Sequence, residues 1–273
     1  MAYPLRNNVI AVPRFFSPLS RSRYFSSLPA RQAAPNAKPA DRRMRNQRQL
    51  PTDLGLLTNT FIKPSLSHQL SLLKTPKSFV KLQWMLWKAR VMDMVSIFAM
   101  KFSSPRVGRM KYKIKLDRHR IVPTAKGMHD EMYKAFAEGD SKTLHKICAD
   151  GLYESFMGRI GARPKGEKIE WELVHMNGTP KIISHRAATL PVAMGAGSFL
   201  RQAVVRIASR QKMTRKSRNG EVVPGSGKEK DVVEYLVLQM FYRGYEPGEW
   251  RVWGTTEETT LERAEEWEEE AVA

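Results

Sequence analysis

A carboxylate converging with an imidazole or phenol in a pocket would give general acid–base chemistry, and the sequence offers one such group. His175 and His185 fall on neighbouring predicted strands, with Glu170 and Glu172 close by. Strict alternation along an extended segment puts both glutamates on the face opposite His175, so the set reads as structural and surface residues. Two glycine-rich stretches fail as phosphate loops. Gly225-Ser226-Gly227-Lys228 has Val222 where the loop should open on glycine, and Glu229 where it needs Ser or Thr. Gly195-Ala196-Gly197 has Leu200 in place of the third glycine. The single cysteine, Cys148, excludes an intramolecular disulfide and a Cys-based zinc site. Its apolar helical setting reads as a core thiol. No catalytic, metal or cofactor constellation emerges, and the chain reads as a non-enzyme.

Binding chemistry is better represented. Across 101–120, Lys101, Arg106, Arg109, Lys111, Lys113, Lys115, Arg118 and Arg120 face only one acid, Asp117. Lys111, Lys113 and Lys115 alternate with Tyr112, Ile114 and Leu116, which predicts an extended segment with one basic edge. Such a strip suits a phosphate backbone, because it releases condensed counterions without reading bases. Arg106, Arg109, Lys111, Lys113, Lys115, Arg118 and Arg120 are therefore the candidate contacts to structured RNA.

Just upstream, 77–102 contains no Gly or Pro, and Pro76 suits a helix start. Lys74, Lys77, Lys81 and Lys88 recur at spacings of 3, 4 and 7 on one side. Trp84, Trp87, Val91, Val95, Phe98 and Phe102 recur on another. Lys74, Lys77, Lys81, Trp84, Trp87 and Lys88 are thus candidates for contact with a membrane or a ribosome. Two readings fit the pattern: a helix lying in an anionic membrane interface, or one packing against the domain behind it with its lysines in solvent.

The 273 residues carry a net charge of +19, and the excess is uneven. Residues 1–120 hold 24 basic and 4 acidic residues, whereas 121–273 hold 22 and 23. This asymmetry points to a polyanionic partner. With 42% hydrophobic residues there is material for a core, and no window of 18 residues lacks charge, which argues against a spanning helix. Residues 1–40 have six cations, five serines and no acid, the composition of a mitochondrial presequence. Arg23-Tyr24-Phe25-Ser26 resembles a matrix processing site cut between Phe25 and Ser26. The expected organisation is a presequence at 1–25, a basic flexible linker at 26–76, helix and basic extension at 77–120, a domain at 121–262 and an acidic tail at 263–273.

Within that domain, 124–136 reads as a helix, Glu138-Gly139-Asp140 as a stop and restart, and 141–160 as one or two short helices. The period then shifts to two. Strands are expected at 168–176 and 181–190 around the hairpin signal Asn177-Gly178, then at 199–214, 231–243 and 249–255. Helices followed by antiparallel strands imply an α+β fold, with helices packed on a curved sheet.

The order AFAEGDSKTLHKICADGL (135–152), Phe156, the Trp171 strand, the long strand pair and EWRVWGTTEETT (249–260) resembles the domain shared by the membrane tether of the mitochondrial import motor and its ribosomal relatives. Those relatives are a large-subunit mitochondrial ribosomal protein and an inner-membrane ribosome receptor. The resemblance covers about 120–262. It implies a cone-like α+β fold similar to the nuclear transport factor family. It also implies a matrix protein peripheral to the inner membrane, near the polypeptide exit, tethering ribosomes for co-translational insertion. The implied partners are the mitochondrial large ribosomal subunit with its rRNA and neighbouring proteins, anionic inner-membrane lipid, a membrane insertase and nascent chains. No cofactor is implied. An import-motor tether or a small-molecule enzyme on the same fold is the alternative.

Overall fold

The computed structural model describes residues 53–58, 60–64, 76–108, 111–191 and 194–272. The expected presequence, with Phe25 and Ser26, and the candidates Lys74 and Arg109 lie outside these residues. The description concerns the unit Gln49–Ala273.

Helix α1 spans Pro76–Ser103. After an extended stretch and a 3-10 turn at Arg118–Arg120 come α2 (Ile121–Glu138), α3 (Ser141–Ile147) and α4 (Asp150–Gly161). The strands follow: β1 (Lys168–Met176), β2 (Lys181–Thr189), β3 (Phe199–Lys216), β4 (Glu229–Arg243), β5 (Glu246–Pro247) and β6 (Arg251–Thr256). A last helix, α5 (Leu261–Val272), carries much of the acidic tail. The architecture is the expected α+β, helices on a curved antiparallel sheet.

The stop and restart at 138–140 has its expected chemistry. Gly139 takes φ +78° to close α2, a left-handed geometry that favours glycine. Asp140 then caps α3, its carboxylate accepting from the amides of Lys142 (3.0 Å) and Thr143 (3.3 Å).

The hairpin expected at Asn177-Gly178 does not form. Both β1 and β2 pair with β3, β1 against its C-terminal half and β2 against its N-terminal half. They run end to end along one edge of β3, as a single strand interrupted at 177–180. Asn177 explains why: its amide N donates to Ala208 O (2.8 Å) and its Nδ2 to Asp231 Oδ1 (2.8 Å). The dipeptide is held against β3 and β4 instead of turning the chain back. Irregularities at Leu173/His175, Ile182/Ser184 and Val237/Leu238 bend the sheet.

Both faces of β3 are covered between Phe199 and Ser209, so this stretch is almost continuously buried. Helix α2 packs on one face, and the same face receives Ile97 and Met100 of α1 with Ile114, against Phe199, Met240 and Tyr242. The opposite face is crossed by 53–62. Gln202 accepts from Leu57 N (2.9 Å) and donates to Gly55 O (2.6 Å), while Ile62 packs with Val204, Tyr235 and Val237. The sequence places 53–62 in a flexible linker; here Thr60, Phe61 and Ile62 are buried, because this strap covers apolar surface that the helices leave open.

Candidate functional site

Helix α1 decides how the candidate contact residues are presented. Its inner side is Leu82, Met85, Leu86, Ile97 and Met100, all buried. Leu82, Met85 and Leu86 pack with Phe61 and with Ala264 of α5. Asp93 and Ser96 latch the middle of the helix to the outer edge of β2. The Asp93 carboxylate accepts from Ser184 Oγ (2.6 Å) and His185 N (3.4 Å) and lies 3.0 Å from Arg186 Nε. Ser96 Oγ accepts from Ala187 N (3.2 Å). Burial raises the Asp93 carboxyl above its usual value, against the pull of these partners. An edge strand's exposed amides are thereby capped by helix side chains. Nothing in the lysine and tryptophan spacing signalled this; Asp93 as the only acid of the helix was the available clue.

The outer side of α1 is apolar too. Val80, Trp84, Trp87, Val91, Met94, Val95, Phe98 and Phe102 are all exposed, Trp84 at 60% and Trp87 at 57%. At 3.6 residues per turn these positions form one stripe opposite the buried side. Trp84 and Trp87 stack at 5.2 Å between ring centroids, and Phe98 and Phe102 at 5.9 Å. The helix thus packs on the domain with Lys77, Lys81 and Lys88 exposed, but its aromatics take no part in that contact. The helix packs through leucines and methionines, and the aromatic stripe faces outward. Lys77, Lys81 and Lys88 flank the stripe on one side, Arg90 and Lys101 on the other. Lys81 also reaches Glu265 of α5 at 2.7 Å.

The basic strip continues from the end of this stripe. Residues 105–107 lie against 111–113, with Lys113 N donating to Pro105 O (2.9 Å) and Arg106 bridged to Tyr112. The Arg106 guanidinium lies 5.6 Å from the Tyr112 ring, which meets Phe102 edge-on at 5.1 Å. Aromatic stripe and cationic strip thus join at Phe102 and Tyr112. The expected alternation holds: Lys111, Lys113 and Lys115 are exposed while Ile114 is buried and Tyr112 and Leu116 are half-buried. Lys113 is held within the fold, 2.9 Å from Glu246 Oε1 and 3.3 Å from Gly244 O. Lys111, Lys115 and Arg120 are exposed. Arg118, with Lys63 and Arg90, rims an apolar cleft of about 590 Å³ between α1 and β2.

The histidines behave differently from each other. One extra residue, Val174, is inserted in β1 between Leu173 and His175, which shifts the alternation and leaves His175 exposed like Glu170 and Glu172. The expectation of opposite faces fails for that reason, yet the three remain solvent-facing. His185 is buried, its Nε2 accepting from Arg201 Nε (2.8 Å). Burial, with Arg201 and Arg118 nearby, lowers its pKa to about 3, so the ring is neutral. Cys148 is buried and its thiol is pushed up to about 12 by desolvation.

One constellation escaped the sequence. Under α2, Glu234 accepts from Tyr133 Oη and Gln211 Nε2 (2.9 Å) and pairs with His129 Nε2 (2.7 Å). Trp171 Nε1 donates to Gln211 Oε1 (3.0 Å) and its ring stacks on Tyr133 at 5.2 Å. These residues are separated by up to 105 positions, so no spacing announced them. His129 has no accessible surface, and neither the cleft beside Arg118 nor a second of about 370 Å³ near Glu246 is lined by any of them. The arrangement is a buried, hydrogen-bonded network that fixes α2 on the sheet.

No helix of the described residues is long and apolar enough to cross a membrane, and among them no cluster of His, Cys, Asp or Glu could hold a metal ion.

The family model of MBA1-like protein matches residues 42–271, from the strap through α1 and the sheet to α5. The chain belongs to the MBA1-like family. A curated relative, the large ribosomal subunit protein mL45 of Caenorhabditis briggsae, is 26% identical over 141 residues. That alignment takes in 51% of this chain and 37% of the relative, so the chain spans little more than a third of that protein's length. The crystal structure of the intermembrane space region of the chloroplast protein ARC6 aligns with 54% of this chain and all of its own, at 10% identity and a TM-score of 0.34; so low a score carries no fold assignment.

Proposed function

We propose that the protein is a non-enzymatic adaptor that holds the mitochondrial large ribosomal subunit against the inner membrane, near the polypeptide exit. The carrying observation is the outer stripe of α1: Trp84, Trp87, Val95, Phe98 and Phe102 exposed on a helix whose other side is locked to the domain. Exposed apolar surface of this extent needs a partner. Flanking cations suit an interfacial helix beside anionic lipid, each contributing on the order of 1 kcal/mol near the surface. Lys111, Lys115, Arg118 and Arg120 then face rRNA phosphates. Membership of the MBA1-like family and the likeness to mL45 support the ribosomal side of this reading. The matrix location, the processing between Phe25 and Ser26, and contact with an insertase and nascent chains belong to the same proposal.

Two measurements test it. Sedimentation of mitochondrial lysate over a KCl series should place the protein with large subunits at low salt, and charge reversal at Lys111, Lys115, Arg118 and Arg120 should lower the salt at which it dissociates. Flotation with cardiolipin-containing vesicles should recover the purified protein, whereas a Trp84→Ser/Trp87→Ser variant should stay at the bottom. Absence from ribosomal fractions at every salt concentration would sink the ribosomal half, and flotation indifferent to both tryptophans the membrane half.

A further inference from the structure

The near-neutral charge of 121–273 hides a second segregation. Eight glutamates and one arginine lie in 256–273, which leaves 21 basic and 15 acidic residues in 121–255. Part of that excess collects at the far end of the β3–β4 hairpin. There the chain does not simply loop. Ser217 N donates to Glu221 O (2.8 Å), Val223 N to Arg215 O (2.8 Å) and Gly227 N to Met213 O (2.8 Å), with Lys216 bridged to Val222. The tip is a hydrogen-bonded ribbon, ordered before any partner arrives. The turn into β1 packs beside it: the Arg218 stem crosses Gly166, so closely that a Cβ there would lie 3.0 Å from Arg218 Cγ, and Arg215 pairs with Glu167.

Charge at this end is unbalanced in a particular way. Glu167 and Glu170 are taken by Arg215 and Lys216. Lys165, Lys168, Arg218, Lys228 and Lys230 are exposed, and none of them enters an ion pair with a described residue. Lys168 stands directly opposite Lys216 in the β1–β3 register. Glu170 already holds Lys216 at 2.6 Å, so Lys168 is the cation of this facing pair left to an outside anion. Apolar side chains are scarce, Val222 being the exposed large hydrophobic residue of the tip. The outer side of α1, with its aromatics, is what a lipid-facing surface of this protein looks like; the hairpin end is its opposite, polar and predominantly cationic, with Glu221 and Glu229 as its further exposed acids.

We propose that this end of the β3–β4 hairpin is a second RNA-binding surface, gripping the phosphate backbone of a double-helical rRNA segment through Lys165, Lys168, Arg218 and Lys228. The choice of RNA rests on the ribosomal reading above. A narrow two-stranded ribbon bearing cations fits backbone and 2′-hydroxyl contact across the shallow minor groove of an A-form helix, with no base readout. The surface is distinct from 106–120. Ile114 packs at the Phe199 end of β3, and the ribbon extends from the Lys216 end, roughly 50 Å away at about 3.3 Å per residue. Two separated grips on one RNA surface fix orientation as well as affinity.

The test uses the full chain, a 20-base-pair RNA duplex and fluorescence anisotropy over KCl concentrations. Each phosphate contact contributes a little under one unit to the slope of log affinity against log salt. The variant Lys168→Gln/Arg218→Gln/Lys228→Gln should weaken binding by about tenfold or more and flatten the slope by about 2–3 units. Lys168→Arg/Arg218→Lys/Lys228→Arg, which keeps the charge, should bind like the wild type, and both should unfold at the wild-type temperature. Unchanged affinity and slope for the glutamine variant would overturn the inference. So would a loss confined to cardiolipin-containing vesicles, which would make the ribbon a lipid contact. Either result leaves the adaptor proposal to its own test, since that depends on wild-type sedimentation with ribosomes.

Discussion

Two contacts of the sheet are built on opposite principles. Under α2, polar side chains are buried around one carboxylate with three partners: Glu234 meets His129, Tyr133 and Gln211. Along the outer side of α1, large apolar side chains are exposed and, among the described residues, their ring contacts are with each other and, at Phe102, with Tyr112. The first arrangement is expensive to break and is therefore about stability. The second contributes nothing to the fold and is therefore about something outside it. Conventional burial rules, apolar in and polar out, are reversed at both places, and the two reversals have different causes.

The contrast is broken most severely by removing the carboxylate under α2. Glu234→Ala leaves His129, Tyr133 and Gln211 facing a dry gap, and should cost about 3–5 kcal/mol, a fall in Tm of about 6–20 °C for a domain of this size. Thermal unfolding measures it; a change within 1 °C would show that the network is not structural. The α1 stripe should answer oppositely. Trp84→Ser/Trp87→Ser should leave Tm within about 2 °C, as exposed substitutions do, yet cut vesicle partitioning by about 150-fold or more, each indole contributing roughly 1.5 kcal/mol or more when buried in the interface. A variant that unfolds earlier while still floating would invert the assignment.

Acid sharpens the comparison. Burial disfavours the ionised Glu234 carboxylate and is the largest single influence on it. The hydrogen bonds with His129, Tyr133 and Gln211 together outweigh it, so the carboxyl is held below its usual value. A carboxyl whose folded pKa is depressed stabilises above the unfolded value and loses that contribution as pH falls through the folded one. Denaturant midpoints should therefore decline below about pH 4.5 in the wild type and less steeply in Glu234→Gln. The smallest effect is at Cys148, whose buried thiol, raised to about 12, should react with a thiol reagent only at the rate of unfolding. Rapid modification of the native protein would contradict its burial.

How much was legible in advance follows the range of the interactions involved. Gly139 and Asp140 announced the α2–α3 junction because capping is chemistry between residues a few positions apart. The alternation of Lys111 to Leu116 was readable for the same reason. Asn177-Gly178 misled, since its turn propensity lost to a hydrogen bond with Asp231, 54 residues away. The one-residue insertion at Val174 reversed the side of His175, and a bulge leaves no mark in composition. The polar network under α2 stayed invisible because its members come from α2, β3 and β4, which only the fold brings together.

Residue types and their spacing by themselves determined that the chain holds an α+β domain, that cations dominate its first 120 residues, and that α1 has an aromatic side distinct from its lysines. These are consequences of local periodicity and charge, which need no partner to be counted. Which side of α1 meets the sheet was decided by the tertiary structure alone. Both sides are apolar, so the hydrophobic effect does not choose between them; shape and the latch of Asp93 and Ser96 onto the β2 edge do. The same holds for the cationic ribbon beyond β3, because charges scattered between Lys165 and Lys228 come together only when antiparallel pairing lays their strands side by side.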